Sequence, residues 1–383
     1  MEYLKMDEAK LGSLGALETA REIAGQPELW HSIYNKVQAE SKAIEGFMCR
    51  VLGKVDKIIL AGAGTSAYIG YSAEGALQRR SKITTLSIAT THLVSHPEDY
   101  LEENTATLMI SFARSGNSPE SVAAVKLADK ICRECYHLII TCNPEGDLAH
   151  QSFKQDSYVF MLPPESNDKG LAMTGSYSGM LLSILLINDI ESVKSHEQTV
   201  SQLGNYAETL FGRYLNTIRK IAALPFKRAV FLGSGPQFGT ATESHLKLQE
   251  LTDGQVICKN DSYLGFRHGP KAAVDENTLM VYYFSNKESV LRYELDLVKG
   301  MNEGKKPLFQ VGIAAGRVGN IPVDELLVLG DSPTDVPEEY LGVAAILFGQ
   351  MLGFFKALDL GSQPDSPSAS GAISRIVKGV KIY

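Results

Sequence analysis

The chain repeats itself at an offset of 171 residues, and no other feature restricts its fold as strongly. Ile58-Ile-Leu-Ala-Gly-Ala-Gly is an apolar run ending in a glycine pair, and Ala229-Val-Phe-Leu-Gly-Ser-Gly is the same object 171 positions on. Thr107-Leu-Met-Ile-Ser pairs with Thr278-Leu-Met-Val-Tyr at that offset, and Leu138-Ile-Ile-Thr with Phe309-Gln-Val-Gly. Tyr158-Val-Phe-Met-Leu and Glu325-Leu-Leu-Val-Leu follow at nearly the same spacing. Self-similarity at a fixed period marks duplicated structure. Each run is short, apolar throughout and bounded by turn formers, the pattern of a strand buried on both faces. Helix-like stretches such as Pro119–Lys130 lie between them, so strand and helix alternate. That alternation predicts parallel sheets with right-handed crossovers and helices on both sides.

The expected architecture is therefore α/β, with two tandem three-layer domains related by internal duplication. The boundaries fall at 1–45 for a helical arm, 46–205 and 206–360 for the two domains, and 361–383 for a Ser-, Pro- and Gly-rich tail that closes the site. Composition removes several partner classes. With 37 basic and 44 acidic residues the net charge is −7, which offers no footprint for nucleic acid. The apolar stretch Met180–Ile187 is far short of the ~20 residues of a membrane span. The charged start Met1–Glu8 is unlike a signal peptide, so a cytoplasmic protein is expected. Its five cysteines are odd in number and lack framework spacing. Cys132-Arg-Glu-Cys135 has the C-x-x-C form without a second pair, and reads as reduced thiols beside a strand. His92 and His96 lack a convincing third ligand, so no metal is assigned.

In such sheets ligands bind at the carboxyl ends of strands. Two of those ends carry Gly62-Ala-Gly-Thr-Ser66 and Phe112-Ala-Arg-Ser-Gly-Asn-Ser-Pro-Glu120. Ser118 is a natural N-cap and Pro119 a natural first helical residue, which aims a helix N-terminus at the strand end. Hydroxyls of Ser66, Ser115 and Ser118 would converge on an anion there. Turn chemistry alone also explains Ser, Gly, Asn and Pro in that order. The third glycine of a dinucleotide fingerprint and the lysine of a P-loop are both missing, favouring a small phosphate monoester. In the second copy, Glu243, Lys247 and Glu250 share one helix face at i, i+4 and i+7. They read either as a solvated ion pair of ~0.3–0.5 kcal/mol or as a catalytic face. His268 lies in the irregular segment Tyr263–Pro270.

Gly62-Ala-Gly-Thr-Ser66, Arg114-Ser-Gly-Asn-Ser118, Leu246-Lys-Leu-Gln-Glu250 and Arg267-His-Gly-Pro270 resemble the matching blocks of the sugar isomerase (SIS) family. Within it they resemble the isomerase half of glucosamine-6-phosphate synthase. Ser111–Val125, Gly265–Lys271 and Pro364–Gly371 are more similar still to the galactosamine-6-phosphate deaminase/isomerases, also labelled tagatose-6-phosphate ketose/aldose isomerases. The resemblance implies flavodoxin-like domains and phosphate binding by Thr65, Ser66, Ser115 and Ser118. One family loop serine falls on Ala113, to be replaced by Ser111 or Arg114. It implies proton transfer by Glu250, ring opening by His268 donated across a homodimer or higher homo-oligomer, and electrostatic help from Lys247 or Lys378. The implied reaction converts galactosamine 6-phosphate to tagatose 6-phosphate and ammonia, with neither cofactor nor metal. A start at Met1-Glu2, without a glutaminase domain, suits the deaminating direction. A sugar-phosphate isomerase without nitrogen chemistry and a non-enzymatic sugar-phosphate sensor are the rival readings.

Overall fold

All eight apolar runs become strands in the computed structural model, which describes residues 1–375 and 380–383. After a short antiparallel hairpin of β1 (Glu2–Tyr3) and β2 (Met6–Asp7), the first sheet collects five strands. These are β3 (Lys57–Gly62), β4 (Thr84–Ala89), β5 (Ala106–Ala113), β6 (Glu134–Thr141) and β7 (Ser157–Met161), in the order β4-β3-β5-β6-β7. The second sheet holds β8 (Arg228–Leu232), β9 (Ile257–Asp261), β10 (Thr278–Tyr283), β11 (Phe309–Ala314) and β12 (Glu325–Val328), in the order β9-β8-β10-β11-β12. Every pairing in both sheets is parallel. Helices flank each sheet, and both orders reduce to 2-1-3-4-5, the flavodoxin-like winding.

The duplication is visible in the registers. Lys57 pairs with Thr107 in the first sheet and Arg228 with Thr278 in the second, each partner shifted by 171. At the next strand the copies differ. Leu108 faces Tyr136 whereas Leu279 faces Phe309, so β6 and β11 correspond at an offset of 173 rather than 171. An even slip of two keeps every side chain on its own face, which is why the sequence tolerates it.

The chain forms two compact units. One comprises Glu28–Asp168, Gly175–Glu197 and Ser374–Tyr383 and carries the first sheet. The other comprises Met1–Pro27, Lys169–Thr174 and Gln198–Ile373 and carries the second. All eight residues of β5 and all six of β10 are buried, as continuous apolar runs require. Each Leu or Ile placed there contributes roughly 1.5–3 kcal/mol of burial. The segment Glu338–Asp359 is long and apolar enough to cross a membrane, yet 94% of its apolar window is buried within the fold. It is the core helix Leu341–Asp359 of the second unit, an apolar stretch longer than Met180–Ile187.

Candidate active site

The loops after β3 and β5 meet at the point where the winding of the first sheet reverses, the usual ligand crevice of an open α/β sheet. Glycines shape the first loop. A Cβ on Gly62 would lie 2.4 Å from the Ser66 carbonyl carbon, and Gly64 has φ +56°. Only glycine allows both, and together they start the helix Thr65–Ser81 directly at the strand end. Thr65 and Ser66 occupy its first turn, both buried at 5% exposure. The second copy repeats the device with Gly233 against Gln237 and with Gly235 at φ +54°.

The second loop begins later than expected because β5 runs through Phe112 and Ala113. Ser111 is therefore a strand residue, 3% exposed, whose hydroxyl has no hydrogen-bond partner among the described residues. A buried orphan hydroxyl is unusual enough to need a reason, such as a ligand. Ser118 precedes the helix Pro119–Ile131 with extended geometry, yet its side chain makes no capping bond. The sequence expectation of an N-cap is met in position but not in hydrogen bonding. Ser115 Oγ accepts from Asn117 N–H at 3.3 Å. The loop is clamped from the segment after β6, where Asn143 Nδ2 donates to the Ser115 carbonyl at 2.8 Å and Asp147 N–H donates to Asn117 Oδ1 at 2.9 Å. Gly116, at φ +70°, allows Gly146 to approach, since a Cβ would lie 3.1 Å from its Cα.

Arg114 is 6% exposed and donates to the Arg375 carbonyl at 2.7 Å. Arg375 in turn donates to the Asp168 carbonyl at 2.9 Å and to Asn167 Oδ1 at 2.8 Å. Arg114 thus fastens the carboxyl-terminal segment to the serine-loop side of this unit. Arg375 was invisible in the sequence, where no pattern linked it to the loop. Lys378 lies outside the described residues.

In the other unit the helix Pro236–Leu251 carries Glu243, Lys247 and Glu250 on one face, and that face is buried. The solvated-pair alternative therefore fails. Lys247 is 0% exposed and its ammonium lies 3.1 Å from Glu243 Oε1 while also bonding Glu250 Oε1. Burial alone would push the lysine pKa down, but the two carboxylates outweigh it and the net shift is upward. Lys247 is held charged. What seals it is the helix Leu341–Asp359, which approaches through glycines: a Cβ on Gly353 would lie 2.9 Å from the Lys247 carbonyl, and one on Gly349 2.3 Å from Ser244 Oγ. Ser244 Oγ is itself 2.6 Å from the Tyr283 hydroxyl. The Glu250 side chain keeps 16% exposure, so the lysine grips its carboxylate from the buried side. His245, on the same helix, is half-buried, and burial lowers its pKa.

His268 follows the short helix Tyr263–Phe266 and is exposed together with Arg267 and Gly269. Tyr263 and Phe266 anchor the segment in the core, and Gly269 at φ +114° turns the chain after it. At the switch point of the second sheet, by contrast, the crevice is filled from within. Glu294, 0% exposed, accepts from the Ser285 N–H at 2.8 Å, where the first copy has its serine loop.

The SIS domain family profile matches residues 52–187, the part holding all five strands of the first sheet. The D-galactosamine-6-phosphate deaminase AgaS of Shewanella sp. (strain ANA-3) is 38% identical over 99% of this chain and 95% of its own length. The Escherichia coli protein of the same name is 36% identical over 95% of each. Among solved structures, one from Clostridium novyi NT superposes with TM-score 0.96 at 38% identity, covering 100% of this chain and 99% of that one. The Escherichia coli tagatose-6-phosphate ketose/aldose isomerase gives 0.85 at 34% identity, covering 96% of each. The chain belongs to the SIS domain family, in the group whose members bear the name D-galactosamine-6-phosphate deaminase AgaS.

Proposed function

We propose that this protein is an amino-sugar phosphate deaminase/isomerase, converting D-galactosamine 6-phosphate to D-tagatose 6-phosphate and ammonia. The observation that carries the reading is near-full-length identity of 38% to a galactosamine-6-phosphate deaminase. The phosphate is assigned to Thr65, Ser66, Ser111, Ser115 and Ser118. The Ser111 hydroxyl, buried at the strand terminus without a hydrogen-bond partner among the described residues, and the helix start beside it suit an anion and make no demand on net charge. Arg114 is given the second task of holding the tail in place.

His268 opens the pyranose by moving a proton between O5 and O1. Glu250 takes the C2 proton and returns it to C1, turning the amino aldehyde into a 2-imine. Water adds to the imine carbon, and ammonia leaves as the ketose carbonyl forms. Lys247, committed to two carboxylates, orients Glu250 rather than meeting the sugar. A sensor has no use for a lysine withdrawn from water between two glutamates, since that burial costs desolvation without improving ligand affinity. Exposure of His268 suits donation across a homo-oligomer, which light scattering of the wild type and a His268→Ala activity assay would test together. A phosphorylated substrate suits a cytoplasmic location.

The deciding experiment incubates purified protein with galactosamine 6-phosphate or glucosamine 6-phosphate and measures ammonia. Release from the galacto sugar, abolished in Glu250→Gln, is expected. Aldose–ketose exchange without ammonia would establish the plain isomerase reading, which the name of the Escherichia coli structure favours.

A further inference from the structure

One motif remains unused by this chemistry, the C-x-x-C pair at the amino end of β6. In the sequence it lacked partners; the fold supplies them. Cys135 and His137 are alternate residues of β6 and so project from the same face. The helix Pro119–Ile131 ends over that face, bringing Asp129 with it. One ligand atom from each of Asp129, Cys135 and His137 lies within 4.8 Å of the others. The Cys132 thiol, at the C-cap of the same helix, shares a hydrogen bond with that of Cys135. His137 is 0% exposed, and while Nε2 sits 3.0 Å from Asp129 Oδ1, Nδ1 has no partner among the described residues. Phe153 stacks on the ring at 4.1 Å between centroids and holds its plane.

We propose that Asp129, Cys132, Cys135 and His137 form a zinc site that braces the amino edge of the first sheet. Two thiolates, an imidazole and a carboxylate are the donor types of a closed tetrahedral zinc centre, and exclude calcium and magnesium, which require oxygen. Bonds of roughly 2.0–2.3 Å place zinc ligands about 3.5 Å apart, so the Asp129, Cys135 and His137 atoms contract by about 1 Å to close, and the Cys132 thiol, outside that trio but hydrogen-bonded to Cys135, turns in as the fourth ligand. The helix carboxyl terminus adds negative potential that favours a cation. Binding displaces the two thiol protons to solvent as the two zinc–sulfur bonds form. The site sits at the opposite end of the strands from the phosphate loops, ~20 Å away along an eight-residue strand, so the role is structural.

The test uses the full chain, purified under a phosphine reductant, stripped with a chelator and titrated with zinc against a chromophoric competitor. One equivalent per chain is expected, with a rise in melting temperature because zinc binds only the folded site. Cobalt substitution should give a thiolate-to-cobalt charge-transfer band that Cys135→Ser diminishes. Cys132→Ser, at the rim, should weaken zinc by at least the roughly 10–100-fold that even an outer partner is worth. A His92→Ala, His96→Ala double variant should bind zinc as the parent does. Failure of the parent to take up stoichiometric zinc, or undiminished affinity in both Cys132→Ser and His137→Ala, would overturn the assignment. Ammonia release is not part of this readout, so the fate of the deaminase reading does not touch it.

Discussion

Replacing Glu294 by glutamine should flatten the pH dependence of stability. Glu294 is fully buried, its Oε2 accepts from Ser285 N–H at 2.8 Å, and its Oε1 has no hydrogen-bond partner among the described residues. Burial pushes its pKa from 4.5 up to about 7, against the Ser285 and Ser234 contacts that pull it down, with Glu338 adding a further upward push. The folded chain therefore holds a proton that the unfolded chain releases near pH 4.5. Stability contributed by this group is fully present below the unfolded value and lost as pH rises through the folded one. A shift of about 2.5 units corresponds to ~3 kcal/mol, of which about 2.5 kcal/mol falls between pH 5 and 8. Glutamine keeps an acceptor for Ser285 and does not titrate. Urea unfolding of parent and Glu294→Gln at half-unit steps from pH 5 to 8 gives the difference curve, with the parent losing ground steadily as pH rises. Parallel curves would refute the argument, and a difference of opposite slope would mean that Glu294 is ionised in the fold.

Lys247→Met should destabilise by ~3–5 kcal/mol in chemical unfolding, because it leaves Glu243 as an uncompensated buried charge, and Glu243→Gln in the same chain should recover part of that. Ser118→Ala removes no capping bond, so its melting temperature should match the parent while KM for the sugar phosphate rises; a stability loss beyond about 0.5 kcal/mol would contradict the geometry. Gly62→Ala drives a Cβ into the Ser66 backbone, and should cost over 1 kcal/mol by displacing the helix start, read from thermal unfolding.

The duplicated α/β layout was legible because strands buried on both faces have a continuous apolar signature, as β5 and β10 do. The two-residue slip between β6 and β11 was not, because an even slip preserves the apolar pattern. Ser118 and Pro119 announced a helix start through local chemistry that survives folding. The state of Lys247 could not be read: the same i, i+4, i+7 spacing suits a wet surface and a sealed core. What decides between them is Gly349 and Gly353, about a hundred residues away, whose missing side chains let a second helix close over it. Arg375 and the Asp129–His137 pair were hidden for the same reason, since each acquires meaning only through a partner distant in sequence or on another element.

The two copies put one crevice to opposite uses. Both have a glycine-tight loop, the same strand register and the same reversal of winding, so both create a recess lined by donors at the strand ends. In the first, the Ser111 hydroxyl has no hydrogen-bond partner among the described residues, and the Ser118 side chain makes no capping bond. In the second, the Glu294 carboxyl takes the Ser285 amide for itself, and Glu338 accepts from the Ser285 hydroxyl. The Glu294 carboxyl fills the recess from within and supplies the acceptor that an anion would have been. The helix after β8 in that copy carries the buried charges Glu243 and Lys247, with Glu250 beside them. The same winding thus yields one copy whose strand ends carry an open serine loop and another whose recess is stoppered by a carboxyl and whose first helix buries a lysine between carboxylates, the division of labour that the proposed deaminase chemistry uses.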